Sequence, residues 1–137
     1  MFVINKSDLS IYLTRGDIAI IEVSANESET EANGSEPKAY EFKSGDIVRL
    51  KITEKNHCDR VVLEKDINVE SPTFYVTISL SSKETRIGDL INKPKDYWYE
   101  IELNPDTNPQ TIIGYDVNGP KIFRLFPEGD DVDGDSN

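Results

Sequence analysis

The feature that most constrains this chain is a two-residue rhythm of apolar side chains. Phe74, Val76, Ile78 and Leu80 alternate with Tyr75, Thr77 and Ser79, while Tyr97, Tyr99, Ile101 and Leu103 alternate with Trp98, Glu100 and Glu102. Successive side chains of a strand point to opposite faces, so each run buries one face and wets the other. Val48, Leu50 and Ile52 set against Arg49 and Lys51 repeat the device. The residue supply agrees, with 15 Ile and 9 Val against 8 Leu, 4 Ala and 1 Met. Branching at Cβ favours pleated surfaces over helices. Shorter strand signals lie at Ile11 to Leu13, Ile18 to Val23, Tyr40 to Phe42, Val61 to Val69, Thr111 to Tyr115 and Lys121 to Phe126. Turn chemistry at Arg15-Gly16-Asp17, Lys43-Ser44-Gly45-Asp46 and Asp116 to Pro120 separates several of them. Short strands at regular intervals predict an all-β fold, an immunoglobulin-like antiparallel β-sandwich. Its expected core is Leu13, Ile20, Leu50, Ile52, Phe74, Val76, Ile78, Tyr99, Ile101 and Leu103.

A single helical piece interrupts the strands. Ser81 and Glu84 have capping-box spacing, and Ile87, Leu90 and Ile91 share one helical face, so Ser81 to Ile91 is expected as a short crossover between the two sheets. The 137 residues make one domain. The sandwich is expected over residues 1–127, with an acidic loop insertion at 26–37 and a disordered acidic tail at 128–137.

The formal charge of −11 belongs mostly to those two segments. Glu27, Glu29, Glu31 and Glu36 lie in the loop, and Glu128, Asp130, Asp131, Asp133 and Asp135 lie in the tail. Removing them leaves 17 acids against 15 bases, so the body of the domain is close to neutral. With no basic stripe to displace counterions from a phosphate backbone, nucleic acid is excluded as an expected partner. The longest apolar run, Ile18 to Ile21, is four residues, far short of the ~20 that a membrane-spanning helix needs, and no membrane association is expected. The first residues lack a signal-peptide pattern, so synthesis in a cytoplasm without a signal peptide is expected.

Catalytic and metal chemistry find little to work with. The single His57 and single Cys58 are adjacent and read as a loop, too few for a zinc site, and no disulfide is possible within the chain. No nucleophile motif or phosphate-cradling Gly-rich sequence occurs. The expectation is a protein that is not an enzyme and has no cofactor and no metal. Arg15-Gly16-Asp17 reads as a hairpin turn rather than as a displayed adhesion tripeptide.

Trp98 is the residue that points to binding. If Tyr97 and Tyr99 face inward, Trp98 faces outward beside Glu100, and an outward Trp anchors contact surfaces at small entropic cost. Trp98, Glu100 and Tyr75 are the candidate contact residues, and the Pro105 to Pro109 turn is the segment of the chain itself best placed to cover the indole. An aromatic platform beside carboxylates also suits a small carbohydrate-binding sandwich, the alternative reading.

Several segments resemble a known family. Leu13-Thr14-Arg15-Gly16-Asp17, Tyr40-Glu41-Phe42, Ser44 to Leu50, Thr85 to Leu90 and Asp96 to Leu103 are similar to the N-terminal domain of the baseplate upper protein, a tail and baseplate family of phages and prophages of Gram-positive bacteria. The resemblance spans roughly Ser10 to Phe126. It implies a structural and assembly module of a virion that contacts other tail proteins or a second copy of itself, and a place in the virion. It transfers no functional residue.

Overall fold

The computed structural model describes residues 2–5, 7–27 and 38–129. The elements run β1 (Phe2–Ile4), β2 (Ile11–Thr14), β3 (Ala19–Val23), β4 (Ile47–Glu54), β5 (His57–Asn68), β6 (Val76–Leu80), α1 (Ser82–Thr85), β7 (Lys95–Leu103), β8 (Gln110–Ile113) and β9 (Lys121–Phe126). They form an all-β sandwich of two unequal layers. The larger sheet has the order β1-β2-β9-β7-β4-β5, with β8 beside β7, and the smaller is the β3-β6 pair. Every pairing is antiparallel except β2 with β9, which run parallel.

The core is what the alternation demands. Val48, Leu50 and Ile52 of β4 and Tyr97, Tyr99, Ile101 and Leu103 of β7 meet Ala19, Ile21 and Val23 of β3 and Val76, Ile78 and Leu80 of β6. Ile11 and Leu13 of β2 and Phe123 and Leu125 of β9 extend it. Two expected core residues are corrected. Ile20 is 59% exposed because Glu22 shares its face of β3, which leaves Ala19, Ile21 and Val23 as the buried set. Phe74 is 46% exposed because it precedes β6, in a turn where the Thr73 hydroxyl accepts from Tyr75 N–H at 3.2 Å, so strand parity does not reach it.

Other expectations shift at element boundaries. The helix is shorter than Ser81 to Ile91, a single turn at Ser82–Thr85, although its capping box forms as expected, with Ser81 Oγ accepting from Glu84 N–H and the Glu84 carboxylate accepting from Ser81 N–H. Tyr40 to Phe42 is no strand but contributes an isolated bridge from Phe42 to Thr73. His57 is not in a loop; it opens β5 after a tight turn in which Asn56 takes φ 66°. The acidic insertion at 28–37 and the tail at 130–137 lie outside the described residues.

The Arg15-Gly16-Asp17 turn is an internal clasp. Arg15 is buried, and its guanidinium donates to the carbonyls of Ile87 and Gly88. Thr85 Oγ1 accepts from Gly16 N–H at 3.1 Å and donates to Asp17 O at 2.8 Å, locking the crossover to the β2–β3 turn. Gly16 has φ 92°, and a Cβ there would meet Glu128 Oε1 at 2.8 Å. Glu128, assigned by sequence to the disordered tail, instead pairs with Arg86 at 3.1 Å and Arg15 at 3.5 Å. Its side chain is mostly buried.

Candidate functional site

The outer face of the larger sheet is built from cross-strand rows of charge. Arg49 of β4 lies opposite Asp66 of β5 and makes a two-pronged bond to it at 2.7 and 3.0 Å. Lys51 lies opposite Glu100 of β7, with 3.7 Å between Nζ and Oε1. Arg124 of β9 lies opposite Asp96 and grips its carboxylate through two nitrogens. Such pairs neutralise the face locally, and bonding to Arg49 and Arg124 holds the Asp66 and Asp96 carboxyls below their ordinary range.

Between the Lys51–Glu100 and Asp96–Arg124 rows runs a different one. Thr53 pairs with Trp98, and Trp98 pairs with Ile122. Trp98 is half-buried. Its cover comes from its own chain, but from the β8–β9 connection and not from the Pro105 to Pro109 turn. The Tyr115 ring stands edge-on to the indole, with centroids 6.2 Å apart and planes at 71°. A tight turn over Asp116 to Gly119 closes this connection, where Asp116 and Gly119 exchange backbone hydrogen bonds and Lys121 Nζ holds the Asp116 carboxylate at 2.9 Å. That bond, then the one from Asn118 N–H, keeps the Asp116 carboxyl low.

The result is a concavity of about 480 Å³ lined by Lys51, Thr53, Trp98, Glu100, Tyr115 and Lys121 among others. Two of the three sequence candidates, Trp98 and Glu100, come together there. Tyr75 does not. It leads into β6 of the smaller layer, across the core from the outer face where Trp98 sits. Sequence reasoning missed Thr53 and Tyr115. Thr53 lies just past the alternation read for β4, and Tyr115, expected from sequence at the end of a strand running from Thr111, instead lies in the loop after β8 (Gln110–Ile113).

A larger and more polar concavity of about 790 Å³ lies at the end of β7, lined by Tyr40, Asp46, Asn104 and Gln110 among others. Its buried carboxylate is already occupied. Asp46 accepts from Tyr40 O–H at 2.7 Å, Lys43 N–H at 2.9 Å and Asn104 Nδ2 at 3.1 Å. Burial pushes the Asp46 carboxyl up, but these hydrogen bonds outweigh it and hold the group below its ordinary value. Burial, then the bond to Asp46, pushes the Tyr40 hydroxyl up to about 12. These partners make the network a structural corner joining the Tyr40 segment, the start of β4 and the end of β7.

Among the described residues no cluster of His, Cys, Asp and Glu could hold a metal ion, and no helix is long and apolar enough to cross a membrane. No family model, curated protein or solved structure matches the chain.

Proposed function

We propose that the chain is a non-enzymatic structural module of a phage or prophage tail or baseplate, acting through contacts with other virion proteins or with a second copy of itself. The observation that carries this reading is the state of the smaller layer. Among the described residues β3 is paired along one edge only, to β6; its outward side chains include Ile20 at 59% exposure, and Ile18 just before it is 64% exposed. An open edge that presents apolar side chains is a template for association unless something covers it. The other long edge, β5, carries charges at Asp59, Arg60, Glu64 and Asp66, the usual protection of an edge that stays solvated. The segments that resemble the baseplate family also build the frame of the fold, namely the β2–β3 turn, the entry to β4, the crossover and β7.

Mass spectrometry of purified virions, together with light scattering of the isolated chain, tests the proposal. Support is the chain present in virions at the level of a structural protein, or a particle mass above 15.5 kDa that falls back when Ile20 is changed to Lys. Absence from virions combined with a concentration-independent monomer overturns it.

A further inference from the structure

Beyond an assembly role, we propose that the concavity beside Trp98 is a binding site for a neutral pyranose, one sugar unit of a glycan. The first observation is a buried hydroxyl without a partner. Thr53 is 3% exposed and lines the concavity, yet no hydrogen bond among the described residues engages its Oγ1. A buried polar group of this kind is held at a free-energy cost unless something entering the concavity bonds to it. The indole Nε1–H of Trp98 likewise has no partner among the described residues. Thr53, whose hydroxyl donates or accepts, and Trp98, whose indole N–H donates, line the same concavity, a pairing of groups that suits sugar hydroxyls.

The second observation is the wall. Trp98 and Tyr115 present two rings at a steep angle, and Tyr115 is 74% exposed, so a ring face is open to a ligand. An aromatic face is electron-rich and attracts the polarised C–H groups on the flat side of a pyranose. The third is charge. Lys51 and Glu100 face each other at 3.7 Å, and Lys121 is committed to Asp116, so the rim supplies polar atoms without a net charge that would select an anion or a cation. A concavity of about 480 Å³ accepts one sugar ring and part of a second.

The chain has one tryptophan, so the indole N–H resonance of Trp98 reports on this site alone. Methyl α-glucopyranoside, methyl β-galactopyranoside and N-acetylglucosamine are titrated at millimolar concentrations into the full chain, with inorganic phosphate as the anionic control. The expected result is a saturable shift of that resonance with at least one pyranose and none with phosphate. Thr53→Val weakens binding about tenfold, while unfolding shows the variant as stable as the parent or more so, because an isosteric methyl replaces an unsatisfied hydroxyl. Tyr115→Ala, at a position 74% exposed, also weakens binding. No shift with any sugar, a response to phosphate instead, or a resonance that moves with protein concentration and not with sugar overturns the proposal; the last result marks the concavity as a protein contact. These outcomes are independent of virion incorporation, so this site and the assembly role stand or fall separately.

Discussion

At the scale of single residues, stability concentrates where a buried polar group collects several partners. Asp46 satisfies three donors, and Asp46→Ala strands them, with an expected loss of about 2 to 3 kcal/mol, read as a lower urea midpoint at unchanged slope. The same carboxylate sets a pH dependence. Its folded pKa lies below the ordinary 3.8, so its contribution is fully present above that value and is lost as pH falls through the folded pKa. Asp66, Asp96 and Glu84 are held low as well, each by hydrogen bonds, from Arg49, from Arg124, and from Ser81 N–H and Lys65 respectively. Melting temperature should therefore be flat in mild acid and fall steeply below about pH 4. Tyr40 acts in the opposite direction. Its pKa is raised from 10.0 to about 12, so its share of stability is complete below pH 10 and disappears as pH rises through that window. A melting temperature indifferent to both ends of the pH range would contradict this account.

At the scale of elements, the crossover matters more than its single helical turn suggests. Thr85 is fully buried and bonds to both Gly16 and Asp17, so one side chain ties the passage from β6 to β7 onto the β2–β3 turn. Thr85→Val keeps the shape and removes those bonds, and is expected to cost about 2 kcal/mol, whereas Ser81→Ala removes only the cap and costs about 1 kcal/mol. Chemical denaturation of the two variants side by side checks the order. Glu128 extends the same clasp to the end of β9. Because Arg15 is buried and Arg86 and Arg15 both reach that carboxylate, Glu128→Gln should cost about 1 kcal/mol, a loss that truncation after Gly129 does not reproduce.

At the scale of the whole molecule, the two layers are unequal, and that inequality divides the surface into two kinds of face. The outer face of the larger sheet is covered with matched charges and carries two aromatic pairs, Tyr12 with Phe126 and, in the concavity, Trp98 with Tyr115. The smaller layer has an open edge and exposed isoleucines. Trp98 belongs to the first. Since Tyr115 packs against it and Thr53 lies beneath the same cover, Trp98→Ala should destabilise the monomer by about 2 kcal/mol, visible in thermal unfolding at a concentration where the chain is monomeric. Ile20→Lys should leave monomer stability within about 0.5 kcal/mol, as an exposed position allows, while abolishing any self-association through β3.

Alternation by itself determined most of the architecture. The runs Val48 to Ile52, Val76 to Leu80 and Tyr97 to Leu103 could bury only one face, and they bury the face their parity assigns. The capping box was legible for the same reason, since it depends on residues three positions apart. Where a local pattern was ambiguous, tertiary structure decided. Ile18 to Val23 is apolar at both parities but for Glu22, and packing against β6 puts Ala19, Ile21 and Val23, the face without Glu22, in the core. Of the site, Trp98 and Glu100 could be read from one strand, but Thr53, Tyr115 and Lys121 come from three other places in the chain. Their meeting depends on β4 and β9 flanking β7 and on the path of the Gly114 to Pro120 loop. Strand periodicity records which way a side chain points; which distant side chains it will face is a property of sheet order and loop course, settled only when the chain packs.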